Sequence, residues 1–293
     1  MTEKKQDQDT LQRFIFEKQQ VRGVLVHLNA TYKAALENHE YNTITAKLTG
    51  EMLCVAALLA STIKFKGKLT LQAQGNGPLK VLLAQVNDLL QLRGLAIYEG
   101  KIKGNFKKLM GDGHLLININ PDDAKERYQA ITEISGESLA STIEHYFKQS
   151  EQLATRLWIF STRTKVAGLL LQAMPGEAED NHFWEHATTL AQTITASELL
   201  NLSNTTILHR LFHEEDVRLF EREPVCFCCN CSTEKMEMGL LQLGRAEAED
   251  ILKEEKVIKV TCDFCNRQYN FDQVDVARIF ASGNVVSGDD LKQ

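Results

Sequence analysis

Six of the seven cysteines of this chain crowd into one short window, and that crowding constrains the fold more than any other feature. From Val225 to Asn266 the sequence reads V-C-F-C-C-N-C, thirty residues, then C-D-F-C-N. The thiols are Cys226, Cys228, Cys229, Cys231, Cys262 and Cys265. Two thiol pairs, each close in sequence and joined by a moderate loop, supply the four sulfurs of a tetrahedral zinc site. Spacing alone leaves open which four of the six are used.

The N-terminus, MTEKKQDQDT, is charged and lacks an apolar signal segment, and the longest apolar run, Met52–Ala60, is too short to cross a bilayer. A soluble cytoplasmic protein is the expectation. In that compartment thiols stay reduced, so clustered cysteines point to metal or redox chemistry and not to a disulfide framework. The formal net charge of −6 is uneven: residues 1–176 carry +5, 177–225 carry −7 and 226–293 carry −4. An acidic zinc module argues against a nucleic-acid partner, since phosphate binding depends on clustered Lys and Arg. The imbalance also raises the expectation that the acidic middle segment docks on a basic face of the first domain, a contact that salt would weaken.

Along the chain, 11–17 patterns as a strand or a domain-swappable arm, 21–27 as a strand, and 32–60 carries helical periodicity with Cys54 as a buried core thiol. Strand patterns follow from Lys64, with a turn at G-N-G-P (Gly75–Pro78), and again at 92–98 and 115–119. The turn fits no phosphate-binding motif, so no nucleotide is expected. Residues 137–157 read as mainly helical, and 167–174 as an apolar segment ending at Pro175-Gly176. Mixed strands and helices around one core give an α+β domain over 1–176.

Beyond Gly176, Asp180 or Asn181 is a candidate cap for a helix bearing Phe183, Trp184, Ala187, Leu190, Ala191 and Ile194. Ser203 or Asn204 is a candidate cap for a second helix bearing Ile207, Leu208, Leu211 and Phe212. Both are amphipathic with no core of their own, so they must cover something or be covered. His209 and His213 stand four apart on the second helix, but the glutamates follow the pair, so no H-E-x-x-H metalloprotease motif exists and a structural or docking role is expected. No hydrolytic constellation is present, and the chain is not expected to be an enzyme.

Cys262-x-x-Cys265 lies between strand-like V-I-K-V and Y-N-F, as in a zinc ribbon, whereas a thioredoxin-like oxidoreductase would place it at a helix N-terminus. A module this small is marginal by itself, and structural zinc contributes on the order of 10–16 kcal/mol of apparent binding energy. Either the metal is a permanent clip or the site is a switch. Each short thiol pair can capture a sulfenic acid as a disulfide. Such local disulfides close tiny loops and cannot replace the constraint that zinc imposes on the long one.

Several stretches are similar to the redox-regulated chaperone of the 33 kDa heat-shock protein family. They are R-F-I-F-E (Arg13–Glu17), V-R-G (Val21–Gly23), Q-G-N-G-P-L (Gln74–Leu79) and Y-F-x-Q-S-E-Q-x-x-T-R-L (Tyr146–Leu157). L-L-L-Q-x-x-P within 169–175, L-H-R-L-F-H-E-E from Leu208 and the two cysteine pairs complete the set, in order along nearly the whole chain. The resemblance implies an α+β core domain (1–176), a metastable helical linker (177–224) and a small zinc-binding redox-switch domain (225–293). It implies one zinc ion per chain in the reduced state, disulfides Cys229–Cys231 and Cys262–Cys265 after oxidation, and an oxidised homodimer that holds unfolding client proteins without ATP. No nucleic-acid or membrane partner is implied. Where the family pattern has two cysteines this chain has four, and register with Ser232 and Glu234 selects Cys229 and Cys231 as ligands with Cys262 and Cys265. Cys226 and Cys228 are left as alternative thiols. Phe183, Trp184, Leu208, Leu211 and Phe212 are the linker side chains expected to meet clients once exposed. The rival readings are a thiol-disulfide oxidoreductase and a constitutive zinc-ribbon interaction protein.

Overall fold

Alternating apolar residues build the first hairpin of this computed structural model, which describes residues 8–122, 127–174 and 181–283. Strands β1 (Thr10–Phe16) and β2 (Val21–Leu28) pair antiparallel with Phe14 opposite Gly23. Any Cβ at position 23 would run into the Phe14 ring, so the close cross-strand approach requires glycine.

The helical stretch expected over 32–60 is two helices, α1 (Ala30–Leu36) and α2 (Thr43–Ala60). The break has identifiable causes. The Asp9 carboxylate accepts the N–H groups of Asn29, Ala30 and Thr31 at 2.8–2.9 Å, which starts α1. Asn42 then caps α2 by accepting from Ile44 and Thr45, each at 3.0 Å. α2 is long and apolar enough to cross a membrane, yet 78% of it is buried inside the protein. It packs against strands of two different sheets, which is why it is apolar all round and not along one face.

Strands β3 (Gly67–Gly75), β4 (Leu79–Asn87) and β5 (Gln91–Tyr98) form a meander. The Gly77 N–H is used by the Met110 carbonyl (2.9 Å), so the intervening turn is structural. Helix α3 (Phe106–Met110) and strands β6 (Gly113–Pro121) and β7 (Tyr128–Glu133) follow. Helix α4 (Leu139–Tyr146) runs into a π-turn at 147–151 that closes on Gln152 with φ 54°. The helix expected to reach 157 therefore stops short, and β8 (Thr155–Ser161) and β9 (Val166–Ala173) are strands.

Helices α5 (Asn181–Ala191), α6 (Ala196–Asn201) and α7 (Asn204–Phe212) come next. Ser203 caps α7, accepting from the Thr206 N–H at 3.2 Å. Asn204, the alternative cap, is buried instead, donating to Gln12 Oε1 (2.9 Å) and meeting His27 Nε2 (2.8 Å). The boundary expected at 176/177 and the Asp180 cap lie outside the described residues, as does the side chain of Asn181. The segment expected to be a helical linker ends in a strand, β10 (Val217–Pro224), paired antiparallel with β1. A two-residue strand, β11 (Cys226–Phe227), then pairs in parallel with β5. One sheet has the order β10-β1-β2-β9-β8 and the other β11-β5-β4-β3-β6-β7.

The chain divides into two compact units, Met1–Cys228 and Cys229–Gln293. Residues 181–224 thus belong to the first unit, and the boundary expected at 224/225 falls four residues later because Val225 is buried in the first core and Phe227 packs on it. The three helices bury Phe183, Ala187, Ala191, Ile194, Leu199, Ile207, Leu208, Leu211 and Phe212 against Phe14, Phe16, Leu25, Leu169 and Leu171 of the first sheet. Docking is therefore apolar. The ion pairs beside it, Arg13–Glu223, Arg218–Glu17 and Lys18–Asp216, are solvent-exposed and contribute at most about 1 kcal/mol each.

The second unit contains α8 (Thr233–Leu243), α9 (Arg245–Glu255), the hairpin of β12 (Ile258–Thr261) and β13 (Gln268–Phe271), and α10 (Gln273–Gly283). Among the described residues its apolar core is seven buried side chains, centred on Leu240, Ile258, Phe271 and Ile279.

Candidate metal centre

Two tight backbone turns present the thiols. Ile258 pairs with Phe271 and Thr261 with Gln268, leaving 262–267 as the knuckle between β12 and β13. The Cys262 N–H donates to the Arg267 carbonyl (3.0 Å), the Asn266 N–H to the Cys262 carbonyl (2.7 Å), and Asn266 turns the chain at φ 54°. The strand-knuckle-strand arrangement expected for this half is present. The other half, Cys229-Asn-Cys231, leads directly into α8, whose N-cap is Ser232. Lys235 Nζ reaches back to the Asn230 carbonyl at 2.5 Å and closes that turn.

The Sγ atoms of Cys229, Cys231, Cys262 and Cys265 all lie within 4.8 Å of one another. Cys229 and Cys262 are 3.6 Å apart and Cys231 and Cys265 3.4 Å. In a tetrahedral site with Zn–S bonds of about 2.3 Å, each sulfur–sulfur edge is about 3.8 Å. The sulfur set fits such an ion, and all-thiolate donors favour zinc or iron over hard cations. All the cysteines are free thiols, and these separations are far from the roughly 2 Å of a disulfide.

The four sulfurs are electrostatically unequal. Burial pushes the Cys231 thiol up, but hydrogen bonds from the Tyr269 hydroxyl (3.2 Å) and then the neighbouring thiols outweigh it and lower its pKa to about 7. Burial first, and then donation to its neighbours, raises Cys229 to about 12. Burial also raises Cys265. The Cys231 sulfur is thus the readiest donor near neutral pH, and loading a metal must displace protons from Cys229 and Cys265.

Cys226 and Cys228 are not in this group; they stand at β11, Cys226 exposed and Cys228 half-buried. Burial, then the nearby Cys228, raises the Cys226 pKa. His209 and His213 are exposed on α7 with rings 6.1 Å apart, and neither joins a metal-capable cluster among the described residues. Of the linker side chains singled out in the sequence, Phe183, Leu208, Leu211 and Phe212 are buried and Trp184 partly so. Cys54 is fully buried in α2, and burial raises its pKa far above the ordinary thiol value.

The model of the Hsp33 protein family matches residues 9–272. The chain belongs to the Hsp33 family. Relatives named 33 kDa chaperonin include one from Nitrosococcus oceani, 44% identical over 275 residues (94% of this chain, 95% of the relative). Another, from Methylobacillus flagellatus, is 40% identical over 288 residues, covering 97% of this chain and 98% of the relative. The fold is shared with the crystal structure of a 33 kDa chaperonin from Thermotoga maritima, at a TM-score of 0.82 and 21% identity, over 94% of this chain and 99% of that one. Membership in Hsp33 makes this a chaperone-family protein. The stretches that resemble Hsp33 fall where the fold is most demanding. R-F-I-F-E and V-R-G form the Phe14–Gly23 crossing, G-N-G-P the turn under Met110, and L-H-R-L-F supplies Leu208, Leu211 and Phe212 to the buried face of α7.

Proposed function

We propose that this chain is a holdase chaperone switched on by oxidation. In the reduced protein, Cys229, Cys231, Cys262 and Cys265 hold one zinc ion per chain. When bound, the ion supplies a structural clip worth on the order of 10–16 kcal/mol. The observation that carries the reading is that four thiols converge from both ends of a thirty-residue loop in a unit whose core, among the described residues, is seven side chains.

Oxidation by hypochlorous acid or a peroxide takes two electrons from each thiol pair, forming one S–S bond per pair while the oxidant's oxygen leaves as water. Pairing Cys229 with Cys231 and Cys262 with Cys265 removes all four ligands and closes only local loops. By chain entropy, the lost constraint of a thirty-residue loop is worth about 3.6 kcal/mol, before any metal–ligand energy. Cross-pairs would keep that loop closed, so the pairing decides whether the unit opens. The linker helices then leave the first sheet, and Phe183, Trp184, Leu208, Leu211 and Phe212 become available to unfolding proteins in the cytoplasm, in an oxidised homodimer. The chain uses no nucleotide, takes no nucleic-acid or membrane partner and turns over no substrate. The knuckle setting of Cys262 and Cys265 lacks the helix N-terminus that a thiol oxidoreductase uses.

The test follows zinc release and suppression of client aggregation together, on reduced full-length protein before and after hypochlorite or warm peroxide. Metal loss with a matching gain in protection of a thermally unfolding client is expected. Metal retained, or metal lost with no gain, refutes the switch; catalytic reduction of insulin would make the protein an oxidoreductase.

A further inference from the structure

The metal centre leaves two thiols unused, and the backbone that carries them is held in a specific way. Val225 is buried; its N–H donates to the Asp9 carbonyl (2.9 Å) and its carbonyl accepts from Thr31 Oγ1 (3.1 Å). Phe227 packs on the same core. The Cys226 N–H donates to the Leu90 carbonyl (3.2 Å) and the Cys228 N–H to the Leu92 carbonyl (2.9 Å). Alternation therefore turns Val225 and Phe227 inward and puts Cys226 and Cys228 on the opposite face of an extended edge strand.

Two residues of a parallel strand span about 6.6 Å, and side chains on the same face are separated by the same distance. A disulfide needs Cβ atoms about 3.5–4.5 Å apart. An S–S bond between Cys226 and Cys228 thus requires the backbone to contract and surrender its bonds to β5. We infer that Cys226 and Cys228 are a second oxidisable dithiol, outside the metal centre, whose disulfide holds residues 226–228 off strand β5. The inference rests on the oxidative reading above for its setting, since the same oxidant acts on both sites. With hypochlorous acid, the Cys226 sulfur is chlorinated and water leaves. The Cys228 sulfur then displaces chloride, a proton is released, and two electrons have passed from the sulfurs to chlorine. The strip is short, a two-residue strand with its flanking amides, so it opens by local fluctuation, and the disulfide traps the open form.

The experiment compares full-length wild type with C226S/C228S, both zinc-loaded, before and after hypochlorite. C226S alone is the fallback should the double variant fail to fold, because one serine suffices to prevent the bond. The expected result is loss of six thiols in wild type and four in the variant, with equal zinc release. Tandem mass spectrometry of the 225–231 segment should show backbone cleavage between Cys228 and Cys229 and none inside either Cys-x-Cys. Amide protection at 226 and 228 should fall at least tenfold more in oxidised wild type than in the oxidised variant. Loss of only four thiols in wild type, or fragments showing Cys226 or Cys228 paired with Cys229 or Cys231, overturns the inference. So does a Cys226–Cys228 bond with both amides still protected, or equal loss of protection in the variant. Zinc retained by both proteins while the Cys226–Cys228 bond forms would defeat the metal-switch reading and leave this one standing.

Discussion

Truncating Phe212 to alanine tests whether the linker helices are the element that oxidation releases. Phe212 is 2% exposed and sits between two aromatic rings of β1, 4.9 Å from Phe16 at 87° and 6.3 Å from Phe14. Removing a buried phenyl ring costs about 3–5 kcal/mol, cavity included. All of it falls on the contact between the helices and the sheet, because Phe212 belongs to the apolar cluster beneath α5–α7 and not to the larger core around α2. At about 1.4 kcal/mol per decade, the undocked population should rise roughly a hundred- to several-thousand-fold. Hydrogen exchange reads this directly: amides of α5, α6 and α7 should lose protection by that factor while those of α2 keep theirs. Reduced, zinc-loaded Phe212→Ala should also suppress aggregation of a thermally unfolding client without oxidant. Leu53→Ala, placed in the α2 core, is the control and should weaken the whole first unit instead. Equal loss of protection in α2 would show that Phe212 supports the global fold. Selective opening of the helices with no gain in client protection would refute the idea that this surface does the binding.

Three further outcomes follow from the first unit. Glu51 lies in α2 with its pKa raised, by burial first, although the Ser161 hydroxyl donates to it at 2.7 Å. An acid raised in the fold contributes stability that is intact below the ordinary carboxylate pKa and lost as pH rises through the raised value. Urea unfolding of E51Q should therefore match wild type near pH 4 and exceed it at pH 8; a constant difference would refute the assignment. Gly23→Val forces a side chain into the Phe14 ring and should lower the urea midpoint by about 1–3 kcal/mol of stability, and a change under about 0.5 kcal/mol would show that the crossing relaxes freely. Raising salt to about 0.5 M should leave exchange in α5–α7 nearly unchanged, since the flanking ion pairs are exposed, whereas salt-induced opening would restore a charge-driven docking.

The strands from β1 to β6 and the thiol cluster were legible because their signals are local: period-two apolar alternation, turn glycines, and cysteines at ligand spacing. Non-local reasons hid the rest. β10 reads V-R-L-F-E-R-E-P, a charged edge strand with little burial, and only its partner β1, two hundred residues away, makes it a strand. The break between α1 and α2 depends on Asp9 and Asn42 as caps, one of them twenty residues upstream. Periodicity showed that α5 and α7 needed a cover. It could not say which, because the covering face combines β1 and β2 with β9 from the other end of the first unit. Helices α8–α10 went unread for another reason: α9 is nearly all charged or polar, and in α8 and α10 apolar residues stand at exposed as well as buried positions (Met238, Leu241, Leu243, Val274), which blurs the helical period. The choice of Cys229 and Cys231 over Cys226 and Cys228 rested on family resemblance; in the structure the former lie within the four-sulfur cluster, whereas Cys226 lies on β11 and Cys228 directly after it.

The two units differ in what opposes chain entropy, and the proposed oxidative switch rests on this difference. The first unit buries α2 from all sides between two sheets, and the cysteine inside that core, Cys54, is fully buried with its pKa raised by burial. The second unit sets seven buried apolar side chains against the ordering of some fifty described residues. Backbone and side-chain ordering costs about 1–2 kcal/mol per residue, and a core of that size cannot balance it. The sulfur cluster therefore stands where a larger core would otherwise be needed. On the proposed switch, an oxidant that reaches the four-sulfur cluster attacks the term on which the second unit depends. A fold built with a bigger C-terminal core would keep its structure after losing the metal, and the thiols would then report oxidation without acting on it.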